Sequence, residues 1–145
     1  MTEIAFHVNV PDKLAYSCRL LRKAYLSGAT VTVTAEPEVL AELDLLLWRF
    51  SPAEFVPHCH SNAPGSTLAV TPIVLTGALA SSPQHEVLVN LGQTVPAEFE
   101  RFQRFIEVVA LAPGDAASGR TRWKHYAARG YALTKHDRAR PDEAP

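Results

Sequence analysis

Apolar and polar positions fall into blocks whose period changes along the chain. Residues 3–8, EIAFHV, alternate as a strand does, and Pro11 and Asp12 mark a turn into a helix over about 12–27. In that helix Leu14, Cys18, Leu21 and Tyr25 recur at intervals of four, three and four residues, one buried stripe that Gly28 ends. Thr30 to Ala35 is rich in β-branched residues and predicts a second strand; Glu36 and Pro37 then open a second helix, proline being harmless in a first turn. That helix carries Val39, Leu40, Leu43, Leu46 and Leu47 and runs to Trp48-Arg49-Phe50, after which Ser51-Pro52 suits a short turn containing Phe55. Trp48, Phe50 and Phe55 bring more aromatic area than a short connection needs, so this is a dense part of the core or a partner's site.

Residues 58–67 form a polar stretch expected to be a loop. Leu68 to Leu75 predicts a strand interrupted by Pro72, hence an edge strand or one that begins after the proline. A loop over 77–85 leads to residues 86–91, EVLVNL, whose nearly continuous apolar character fits the middle of a sheet covered on both faces. Pro96 is expected to begin a helix over 96–110, with Phe99, Phe102, Ile106 and Val109 as its buried stripe and Phe105 broadening it. A further helix is expected from about Asp115 to Arg129, ended by Gly130, with Tyr131 to Thr134 as a last short strand. Strands alternating with helices predict a three-layer α/β fold: a mostly parallel open sheet with helices on both faces, Rossmann-like but without a nucleotide-binding glycine loop. The expected organisation is one domain over residues 1–134 and a flexible C-terminal tail over 135–145.

Composition agrees with one domain. The chain has 145 residues, of which 47% are apolar, enough for a core without covalent help. Cys18 and Cys59 share no paired spacing, and the N-terminus has no leader pattern, so a reducing cytoplasmic setting is expected; no apolar run approaches a membrane span. Charge is uneven. Residues 1–119 hold 7 of the 14 Lys and Arg against 12 of the 15 Asp and Glu, a net of −5, whereas residues 120–145 hold 7 bases against 3 acids, a net of +4. A basic C-terminal surface on a mildly acidic molecule attracts anionic partners.

Catalytic patterns find no candidate. The turn after the first strand has no GxGxxG or GxxxxGK[ST], so no nucleotide cofactor is expected, and no GxSxG or acid pair stands out. His58, Cys59 and His60 are the one cluster with metal-ligand chemistry, but neighbours on an extended chain point oppositely. At most His58 and His60 would converge, with His7 or His85 as a third ligand, and ordinary loop residues are the better reading. Cys59 as a nucleophile would lack an orienting group. The strongest feature is the basic and aromatic segment Gly119 to Tyr131, in which Arg120 and Lys124, and His125 and Arg129, lie one helical turn apart, with Trp123 and Tyr126 among them. Such a mixture serves an acidic peptide or a nucleic acid, or consists of core rings with a solvated basic rim.

Taken in order, Leu46-Leu47-Trp48-Arg49-Phe50-Ser51-Pro52, Phe55-Val56-Pro57-His58, Leu88-Val89-Asn90-Leu91, Phe105 to Val109 and Arg120 to Tyr131 resemble the chi-subunit family of bacterial DNA polymerase III. The resemblance implies a non-catalytic adaptor of the clamp-loader complex. Such an adaptor would bind the acidic C-terminal tail of single-stranded DNA-binding protein and, at a separate surface, a psi subunit. The tail site it implies comprises Val108 or Val109 on the preceding helix, Arg120, Trp123 and Lys124, with Tyr126 and Gly130 supporting its shape; Trp123 stands where a tyrosine is more usual. The psi-facing surface it implies comprises Trp48, Phe55 and Pro57. Direct single-stranded nucleic-acid binding is the first alternative, although it would want a wider basic track than residues 1–119 provide. A degenerate nucleotide-fold enzyme, with a cleft containing His7, His58 or Cys59, is the second.

Overall fold

The computed structural model describes residues 1–49 and 55–139. β1 (Glu3–Val10), β2 (Val31–Thr34), β3 (His58–His60), β4 (Ile73–Leu75), β5 (Val87–Asn90), β6 (Arg104–Ala110) and β7 (Leu133–Asp137) form one sheet in the order β3-β4-β2-β5-β6-β1-β7. Every pairing is parallel. Parallel neighbours require crossover connections, and these place α1 (Lys13–Leu26) and α2 (Pro37–Arg49) on one face and α4 (Pro113–Ala128) on the other. The α/β architecture expected from the sequence is the one found, and β5 is the central strand with all four residues buried.

Local chemistry explains the element ends that matter. The Asp12 carboxylate accepts a hydrogen bond from the Ala15 N–H and caps α1. Gly28 and Gly130, at φ +85° and +82°, follow the two helices they end in a conformation costly for a residue with a Cβ. Among the described residues no helix is long and apolar enough to cross a membrane.

Several expectations need correction. Residues 96–110 are not a helix: Phe99–Arg101 is a single 3-10 turn entered through Glu98 at φ +71°, and Arg104–Ala110 is β6. An interior strand is apolar on both faces, so Phe105 and Val109 toward α4 and Val108 toward α1 also supply apolar residues at helical spacings. The polar stretch 58–67 is not all loop; it contains β3, which is short and at the sheet edge, and the start of α3 (Gly65–Val70). Residues 68–70 are therefore helical. The strand after Pro72 exists, but it lies between β3 and β2 rather than at an edge. Pro72 is compatible with that position because it precedes the ladder and only accepts, from the Val31 N–H at 2.8 Å. β7 runs to Asp137, so Lys135 to Asp137 belong to the sheet and not to a tail. Phe50, the Ser51-Pro52 turn and residues 140–145 lie outside the described residues.

A cation-rimmed groove between α4 and the sheet as the candidate functional site

The rotation of α4 is fixed by a buried polar network. Gly119, Arg122 and Tyr126 form its inward face. The fully buried Glu107 of β6 accepts from Arg122 Nε at 3.0 Å, Tyr126 Oη at 2.6 Å and Asn90 Nδ2 at 3.0 Å. Arg122 also donates to the Gln93 carbonyl at 3.1 Å. Burial pushes the Glu107 carboxyl above the ordinary carboxylate range, against the pull of the Arg122 cation and of the Tyr126 hydroxyl. The Tyr126 hydroxyl is itself pushed up, first by burial and then by Glu107. Four groups from three elements pair with one another, with Arg122 Nη2 the one buried nitrogen of the set that makes no hydrogen bond, and this network holds the helix in place.

With Arg122 and Tyr126 turned inward, Arg120, Trp123 and Lys124 sit on an adjacent flank. There α4 and the sheet enclose a groove of about 430 Å³. Its floor is apolar: Phe6 and Val8 of β1, Val109 and Ala110 of β6. Trp123 is half-buried with its ring edge-on to Phe6, centroids 5.0 Å apart, while Arg120 and Lys124 are exposed at the rim. Gly119 allows this approach. A Cβ there would stand 2.8 Å from Val109 Cγ1 and 2.9 Å from Cγ2. Asn9 and Lys135 complete the lining on the side of β1 and β7.

The structure thus brings together four residues singled out from sequence: Val109, Arg120, Trp123 and Lys124. Val108 is separated from them, because it points through the sheet into the core under α1, and both valines are on a strand and not on a helix. Tyr126 is buried and does not line the groove; its hydroxyl donates to Glu107 and its ring packs against Phe6 with centroids 5.9 Å apart. Gly130 ends α4 without lining the groove. Sequence patterning missed Phe6, Val8, Asn9, Gly119 and Lys135 as lining residues, and treated Arg122 as part of a basic surface although it is 2% exposed. The lone acid in Phe105-Ile106-Glu107-Val108-Val109 was a signal that a buried base had to exist.

Trp48, Phe55 and Pro57 occupy a second surface. Trp48 is 60% exposed and Phe55 41%, with ring centroids 5.0 Å apart and planes at 31°. Both rings lean on His58, at 5.2 and 5.8 Å; its imidazole is held by the Val56 carbonyl at 2.7 Å and by Asp44 at 3.0 Å. Leu45 and Leu46 extend this exposed apolar area along α2.

The remaining titratable candidates are dispersed. His7 meets the Tyr16 hydroxyl at 2.5 Å, and burial, reinforced by the Arg138 cation, lowers its pKa to about 4, so the ring is neutral near pH 7. His58 and Cys59 lie five strand positions away on β3, and His85 packs on Phe102 with ring centroids 5.3 Å apart. Cys18 is a core residue whose thiol burial pushes up to about 11. Among the described residues no three His, Cys, Asp or Glu side chains gather as metal ligands would.

Two curated proteins place this geometry in context. The chain is 29% identical over 142 residues to DNA polymerase III subunit chi of Pseudomonas aeruginosa, covering 94% of this chain and 96% of that protein. It is 31% identical over 120 residues to DNA polymerase III subunit chi of Haemophilus influenzae, covering 81% of this chain and 82% of that one. The family described as DNA polymerase III chi subunit, HolC, matches residues 1–134, almost the whole of the described fold, and the chain belongs to that family.

Proposed function

We propose that this chain is a non-catalytic replication adaptor that holds the acidic C-terminal tail of single-stranded DNA-binding protein in the α4 groove. In this reading it joins that protein to the polymerase III clamp-loader complex through a psi-like partner seated on Trp48, Phe55 and Pro57. The observation that carries the reading is the groove, where a half-buried indole and an apolar floor lie directly under the exposed cations Arg120 and Lys124. A tail that ends in aspartates, a proline and a phenylalanine offers the matching parts: one ring for the floor, and a terminal carboxylate with neighbouring acids for the rim. Burying a ring contributes about 1.5–3 kcal/mol, and each exposed ion pair only about 0.2–1 kcal/mol. The ring therefore dominates affinity and the cations select for acidity, so added salt weakens binding without abolishing it.

The test compares full-length single-stranded DNA-binding protein, the same protein lacking its last residues, and a bare single-stranded oligonucleotide. Binding is expected to the first alone. Arg120→Ala and Lys124→Ala are each expected to weaken tail binding by about two- to fivefold with the fold intact, which corresponds to the loss of one exposed pair. Equal binding of the tailless protein, or retention of the bare oligonucleotide, would replace this reading with direct nucleic-acid binding.

A further inference from the structure

The groove has a second wall, which belongs to the sheet. In a parallel sheet, residues in register point to the same face, and Phe6 is in register with both Glu107 of β6 and Lys135 of β7. Phe6 and Glu107 face α4, so Lys135 does too, one strand further out and across the groove from Arg120 and Lys124. The same alternation puts Leu133 against the α4-side core. A β-bulge shapes the end of this wall. β1 and β6 are in register at His7 with Val108 and again at Val10 with Ala110, so Val8 and Asn9 oppose Val109 alone. Asn9 takes up the extra residue at φ +57°, and the alternation reverses: Val8 faces the groove, whereas Val10 is buried in the opposite core. The apolar floor therefore stops at Val8 and gives way to the Asn9 amide and the Lys135 ammonium. Among the described residues no carboxylate pairs with Arg120, Lys124 or Lys135, so all three cations are available to a ligand.

We infer that Lys135 is a specificity-determining residue of the groove, recognising acidic side chains upstream of the ligand's terminal aromatic residue and so setting the direction in which the peptide crosses β1. The inference rests on the proposed tail-binding reading. A carboxylate at the terminus is tied to the ring it shares a residue with, and that ring belongs beside Trp123 and Gly119; the α4 cations take it. Acids further back along the peptide extend toward β7, where Lys135 is the lining cation among the described residues. Lys135 stands on an exposed strand position that packing does not require, so its charge is free to serve the groove.

The probes are two synthetic peptides with free C-termini, one with aspartates preceding a terminal Pro-Phe and one with those aspartates replaced by asparagine. Lys135→Met keeps the side-chain stem and removes the charge. It is expected to weaken the acidic peptide by about two- to fivefold and to leave the asparagine peptide unchanged, and Lys135→Glu is expected to widen the first effect. Arg120→Ala is expected to weaken both peptides, because the terminal carboxylate is common to them. If Lys135→Met binds the acidic peptide as the parent does, or weakens both peptides equally while Arg120→Ala behaves as expected, Lys135 does not read upstream acids and the inference fails alone. If the parent protein binds neither peptide, the reading of the groove fails and takes this inference with it. Far-UV circular dichroism of both Lys135 variants controls for the fold.

Discussion

At position 119 a hydrogen in place of a Cβ lets α4 settle onto Val109, and both residues line the groove. The sequence pattern makes this glycine a weakness at the start of a helix, which it is locally, since glycine costs about 1 kcal/mol relative to alanine there. What the pattern hides is the compensation across the helix–strand interface. Gly119→Ala gains propensity of that size, while its methyl must displace a branched side chain with little freedom, at about 1–3 kcal/mol. The two effects partly offset. The expected outcome is an unfolding free energy, from urea titration, no more than about 2 kcal/mol below the parent and tail-peptide affinity reduced by at least about threefold, because Val109 is part of the floor. Unchanged affinity in titration calorimetry would show that the ligand does not reach Val109. Lys135 was hidden for a different reason: two residues past the last apolar position, β7 consists of polar residues on an edge, where burial no longer leaves a signature.

The longest misreading and the clearest success meet at the level of elements, in β6 and α4. Phe99, Phe102, Ile106 and Val109 fit a helical period, yet Arg104–Ala110 is a strand buried on both faces; periodicity cannot separate those cases when apolar residues come from two faces at once. α4 was legible because Asp115 to Arg129 is bounded by a proline–glycine pair and by Gly130, and its charges gave its solvent side. Its inward face was not, since Arg122 looks like any other base until Glu107 is seen opposite. Glu107→Leu leaves a guanidinium buried without its carboxylate and is expected to destabilise the fold by about 3–5 kcal/mol, a large part of the roughly 5–15 kcal/mol available to a domain. Glu107→Leu combined with Arg122→Leu should recover much of that loss. Denaturant unfolding of the two single variants and the double variant measures the coupling; additive losses would mean that the pair does not hold α4 in register.

For the whole molecule, the order β3-β4-β2-β5-β6-β1-β7 separates the two exposed surfaces by five strand spacings. The Trp48–Phe55 surface stands over β3 on the α2 side, and the groove lies over β1 on the α4 side. Five strand spacings of about 4.8 Å put them about 24 Å apart, and they open on opposite faces. That separation exceeds the screening length of about 8 Å at physiological salt, so charge at one surface is not felt at the other. Coupling through the fold would need an element with two arrangements, and the intervening strands are packed in a single parallel ladder. The two surfaces should therefore act independently, as the proposed adaptor role requires. Trp48→Ala, which removes an exposed ring, is expected to leave tail-peptide affinity within about twofold and the unfolding midpoint nearly unchanged, while abolishing capture of a partner that uses α2. The reciprocal variant Arg120→Ala should leave that capture intact. A change of more than about tenfold, or 1.4 kcal/mol, in tail affinity on Trp48→Ala would mean that the sheet transmits a signal between its ends, and the chain would then be a switch in place of a passive link.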